Sequence, residues 1–98
     1  METMKKPQLE THREGKSLKV LRVTGEMGIH MPEHHSTQEV VVVALRGSAA
    51  LSINGKELNL TQGDVIVIPA GITHSLTAKN SFQALAIMNV ESSIIFEQ

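Results

Sequence analysis

Apolar residues along this chain come in short bursts cut by glycine, proline, asparagine and aspartate, never at the three-to-four spacing of a long amphipathic helix. The bursts are "LKVLRV" (18–23), "EVVVVALR" (39–46), "SAALSI" (48–53), "KELNL" (56–60), "VIVI" (65–68), "HSLTA" (74–78), "FQALAIMNV" (82–90) and "SIIF" (93–96). Asn54-Gly55 joins two of them and predicts a tight hairpin, because both central residues of a type I′ turn need positive φ. "GEMGIHMPEHHSTQ" (25–38) reads as a loop, and residues 1–16 as a polar N-terminal arm of a kind that can also add an edge strand. Short strands with turn signals roughly every 8 to 12 residues predict an all-β fold, an antiparallel barrel or sandwich, spanning residues 17–98.

Two of the runs do not alternate. In "VVVV" and "VIVI" every residue is apolar, so both faces of each strand must avoid water. One face can line a barrel. The other calls for a second sheet or a second copy of the chain, and a homodimer is expected.

Composition removes several classes of function. A net charge of −1 gives no field to attract nucleic acid, and with Phe82 and Phe96 the only aromatics there is no stacking platform for single strands. The absence of cysteine excludes disulfides, thiolate nucleophiles and zinc–sulfur sites. No apolar run approaches the roughly 18 residues of a membrane helix, and the polar start lacks the apolar region of a signal peptide. A cytoplasmic protein with no membrane partner is the expectation.

Two stretches then resemble a known family. "GDVIVIPAGITH" (63–74) is similar to the second cupin motif: Gly63, five residues, Pro69, one residue, Gly71, two residues, His74. The motif's closing asparagine falls at Ala78. "GIHMPEHHSTQEVVVVALRG" (28–47) lies where the first cupin motif belongs. The resemblance covers about residues 18–90 and implies a small single-domain cupin, an antiparallel jelly-roll β-barrel. It also implies a metal site built from two histidines spaced HxH and a glutamate in the first motif, joined by the second-motif histidine.

Counting from the glycines gives an incomplete first motif. Gly28 plus five residues reaches His34, but the second histidine falls at Ser36 and the glutamate at Val40. Shifted by one, His35 and Glu39 have the right mutual spacing, yet on a regular strand they face away from His34. A one-residue bulge between Glu39 and Gly47 would turn them inward, and Val40 to Val43 read alike in either register. His30 reaches a shared ion only if the loop folds back, since four extended residues span about 13 Å. The candidate ligands are therefore His34, His74, His35, Glu39 and His30, for a divalent transition metal (Zn, Ni, Fe, Mn or Cu) held by nitrogen and oxygen. Each also has a plainer reading: a hydrogen-bonded core histidine, or a solvated side chain on the surface. His12, in the arm, reads as surface.

Two functions remain open. One is a metal-dependent cupin acting on a small organic molecule. The other is a metal-free module that holds a small ligand in an apolar barrel, with a degenerate metal site. Metal-free cupin sugar epimerases resemble a His–Tyr pair at work, and this chain has no tyrosine. Arg46 is a candidate for meeting an anionic substrate, and Met27, Met31 and Met88 for adapting to an apolar one.

Overall fold

The computed structural model describes residues 8–97, which form ten strands in two five-stranded antiparallel sheets with no helix. The strands are β1 (Gln8–Glu14), β2 (Leu18–Gly25), β3 (His30–Ser36), β4 (Val40–Arg46), β5 (Ser48–Ile53), β6 (Lys56–Thr61), β7 (Val65–Ile68), β8 (His74–Ala78), β9 (Phe82–Asn89) and β10 (Ile94–Phe96). One sheet runs β1-β2-β9-β4-β7 and the other β10-β3-β8-β5-β6. This is the jelly roll that the sequence pattern and the family resemblance anticipate.

The core lies between the sheets. Alternation along β9 buries Phe82, Ala84, Ala86 and Met88, and β4 contributes Val40 and Ala44. From the facing sheet come Ala49, Leu51 and Leu60. Asn54 (φ 53°) and Gly55 (φ 73°) form the predicted hairpin turn between β5 and β6.

The polar arm takes its edge-strand alternative, and the expected loop 25–38 differs from the sequence reading. Residues 8–14 of the polar arm form β1, which pairs with β2 along its whole length; residues 1–7 of that arm lie outside the described part. An edge strand needs only backbone groups to satisfy its neighbour, so a polar sequence can supply it. The expected loop 25–38 contains β3, whose three histidines, glutamate and proline hide the usual strand signature. His12 is half-buried in β1 beside an irregularity between Thr11 and Arg13.

The outer face of the first sheet is apolar across most of its width. Cross-strand register sets out two neighbouring rows on it. The first runs Glu10, Arg22, Leu85, Val43, Val65, and the second Arg13, Val20, Ile87, Val41, Val67. Val65 and Val67 are 58% and 56% exposed. The second sheet therefore covers only the inner face of the valine runs.

Candidate functional site

The barrel interior holds a cavity of about 60 Å³ whose walls are largely apolar, with Met31, Val42, Leu51, Leu76 and Met88 among them. Its polar lining consists of His34, Ser36 and His74. All three are buried, at 5%, 4% and 6% exposure. His34 on β3 lies directly across the sheet from His74 on β8. Their ring centroids are 4.2 Å apart in an edge-to-face contact, and the ring of Phe96 on β10 lies 5.2 Å from His34 on the other side.

How His34 comes to face inward is a matter of one irregularity. Met31 pairs with Leu76, but the next pair is His34 with His74, so Pro32 and Glu33 together oppose Ser75 alone. This bulge in β3 shifts the alternation by one residue. Met31, His34 and Ser36 all point into the barrel, and His35 points away. Beyond the strand, Val40 is buried and Glu39 is exposed outside any strand. The register counted from the glycines is thus the one adopted. The inward turn of His35 and Glu39 that a later bulge would have produced does not occur, although β4 does carry an irregularity between Ala44 and Arg46.

The remaining candidates sit elsewhere. His30 is exposed and its Nδ1 is 2.9 Å from the Thr77 hydroxyl. His35 Nδ1 is 2.6 Å from Glu97 Oε2, and Thr73 donates to the same oxygen at 3.4 Å. That contact ties β10 to β3 and holds the Glu97 carboxyl below its ordinary range, His35 being the main cause. Arg46 is exposed and Met27 is 73% exposed, whereas Met31 and Met88 line the cavity. Phe96 and Glu97 carry no motif that sequence could have flagged; only the pairing of β10 with β3 brings them to the site.

The two interior imidazoles are chemically alike. His34 Nδ1 donates to the Pro32 carbonyl at 2.7 Å, and His74 Nδ1 donates to the Ile72 carbonyl at 3.0 Å. A carbonyl only accepts, so the proton sits on Nδ1 and the lone pair of each neutral ring on Nε2. Burial lowers the pKa of both. The backbone hydrogen bonds pull the other way, while charge on His74 and His35 would depress His34 further, and charge on His35 would depress His74. At neutral pH the barrel therefore presents two uncharged hydrogen-bond acceptors and one hydroxyl in an apolar setting.

That geometry accords with what the chain is similar to. The cupin domain family matches residues 21–90, and the chain belongs to it. No curated protein matches. Among solved structures, one similar protein is an uncharacterised double-stranded β-helix protein from Klebsiella pneumoniae, with a TM-score of 0.81 and 14% identity over 99% of this chain and 90% of that one. The DMSP lyase DddQ from Ruegeria pomeroyi gives 0.83 at 23% identity, over 93% of this chain but 51% of the lyase. Salicylate 1,2-dioxygenase from Pseudaminobacter salicylatoxidans gives 0.72 at 20% identity, over 80% of this chain and 25% of the dioxygenase. These likenesses establish the fold. None of the described residues forms a helix long and apolar enough to cross a membrane.

Proposed function

We propose that this cupin binds a small organic molecule inside its barrel, with the Nε2 atoms of His34 and His74 as the polar anchor. The observation that carries this reading is the buried imidazole pair, each ring's Nδ1 already committed to a backbone carbonyl. Two fixed acceptors in an apolar cavity select a ligand with a hydroxyl or N–H donor and an apolar body. The cavity of about 60 Å³ is smaller than the ~150 Å³ apolar cavity known to take benzene. The part of the ligand that enters is therefore a few carbon atoms in size.

The donor set does not fit the catalytic metal centre that the family resemblance implies. Enzymatic sites of that kind usually keep three protein ligands. Among the described residues no group of three or more histidine, cysteine, aspartate or glutamate side chains is placed to hold an ion. Ser36 and Val40 stand where the second histidine and the glutamate would be. A second reading has its own support: two neutral imidazoles with free Nε2 lone pairs are suited to a transition metal if the remaining positions are filled by solvent or ligand.

Two measurements separate these. Titrating the protein with butan-1-ol and, in parallel, pentane is expected to shift the ¹⁵Nε2 resonances of His34 and His74 with the alcohol and not with the alkane. Unshifted resonances at millimolar alcohol would refute the anchor. Elemental analysis after dialysis against Zn²⁺ or Ni²⁺ is expected to show well under one ion per chain, and a stoichiometric ion lost on His74→Ala would replace the first reading with the second.

A further inference from the structure

We propose that β10 is the gate of the barrel cavity, swinging on the turn at residues 90–93 and latched at its far end by the contact of Glu97 with His35. The inference concerns access to the interior and holds whatever ligand enters. A cavity of about 60 Å³ between two sheets admits a molecule only where the wall opens. The four edge strands of the described residues differ in how firmly they are held. β6 and β7 each anchor a residue in the core, Leu60 and Ile68, both 2% exposed. β1 pairs with β2 along its whole length. β10 pairs with β3 alone through three residues, Ile94 with Ser36, Ile95 with His35 and Phe96 with His34, and none of the three is fully buried. It nonetheless closes the site. Ile94 lines the cavity, and the Phe96 ring lies against His34.

The two ends of the strand are held in different ways. At its base, Lys19 Nζ donates to the Ser92 carbonyl and Val90 N to the Ser17 carbonyl, each at 2.9 Å. These bonds tie the turn to β2 and the residue before it, so the turn stays in place when the strand moves. At its tip, Glu97 N donates to the Glu33 carbonyl at 2.9 Å, and the Glu97 carboxylate accepts from His35 Nδ1 at 2.6 Å and from the Thr73 hydroxyl at 3.4 Å. Solvent-exposed contacts of this kind are weak, which suits a latch that releases. Opening uncovers His34 and the cavity behind it while β3 keeps its pairing with β8. Few buried apolar contacts and a short ladder are the marks of an element that opens locally.

Diethyl pyrocarbonate tests the proposal, because it acylates a neutral imidazole at the nitrogen bearing the lone pair. Peptide mass spectrometry reads the rate at each histidine, and exposed His30 reports the unobstructed rate within the same chain. His34 and His74 are expected to react at least about tenfold more slowly than His30. Their rates should barely change with urea below the unfolding transition, since swinging three residues exposes little surface. Glu97→Ala is expected to raise both rates about threefold to fivefold and leave His30 unchanged. Glu33→Cys/Glu97→Cys supplies a lock: the two positions face each other as a hydrogen-bonded pair, whose Cα separation of about 5.5 Å accepts a disulfide. The native chain has no cysteine, so the bridge is unambiguous. Oxidation of this variant is expected to slow His34 and His74 at least about tenfold below native, and reduction to return them to the Glu97→Ala rate. Equal rates in the oxidised and reduced forms overturn the proposal, because the cavity then opens through another wall. So does a native rate that climbs steeply with urea, the sign of access by global unfolding alone, or a Glu97→Ala rate equal to native.

Discussion

Gly47→Ala is expected to cost about 3–5 kcal/mol, enough to leave most of the chain unfolded or aggregated at physiological temperature. Gly47 lies between β4 and β5 with φ +74°, and a Cβ at this position would overlap the backbone carbonyl oxygen of Ser81. Two effects therefore add. A side chain in the left-handed region costs about 1–2 kcal/mol, and a clash with backbone cannot be relieved by a rotamer change. The neighbourhood is also pinned, since Ser48 N donates to Asn80 Oδ1 at 2.8 Å and Lys79 N donates to the Ser48 carbonyl at 2.9 Å. Gly55 supplies the control: its φ is +73°, but a Cβ there would meet nothing within 4 Å, so Gly55→Ala should cost only about 1 kcal/mol. Urea unfolding followed by circular dichroism measures both. Equal losses for the two substitutions would show that the Ser81 contact carries no weight.

The same glycine explains why so much of the fold is legible in the sequence and where legibility stops. Gly47, Gly55, Gly63 and Gly71 all have positive φ, so the spacing between them sets the strand lengths. Counting from Gly28 places His34 inside the barrel, and the structure agrees. What sequence leaves open is the register of the residues that follow. Valines 40 to 43 look alike on both faces, so they cannot say whether His34 and Ser36 or His35 and Glu39 point inward. The bulge at Pro32 and Glu33 decides it. Its position depends on pairing with β8, a strand about forty residues away in sequence, and no local signal specifies that. β1 is hard to read for a different reason. As an edge strand, exposed at nearly every position, it has no buried face to impose alternation. The partnership of β10 with β3, which brings Phe96 and Glu97 to the rim, is likewise a contact between chain segments far apart.

Acidification is expected to destabilise the metal-free barrel below about pH 6.5, with His34 and His74 the cause. Burial holds both rings below the ordinary histidine value of 6.5. In the unfolded chain they return to about 6.5. Between the native and unfolded values the unfolded state binds more protons than the native one, so the free energy of unfolding falls as pH falls. The loss ends once pH drops below the native values, where both states are protonated alike. Each ring contributes at most ~1.4 kcal/mol per pH unit, so the pair gives at most ~2.7. Glu97 works in a lower window: its depressed carboxyl stabilises above about 4.5 and loses that effect only as pH falls further. Urea unfolding from about pH 7.5 to about pH 5 reads the slope. In the double variant His34→Leu/His74→Leu the slope over this window should flatten, whatever its absolute stability. The two carbonyls that lose their donors shift stability by a pH-independent amount, so they do not mimic the effect. If the native protein shows no fall between about pH 6.5 and about pH 5, or the double variant falls equally steeply, then the interior imidazoles are not held neutral. They would then be unable to offer the paired Nε2 acceptors on which ligand recognition in this barrel depends.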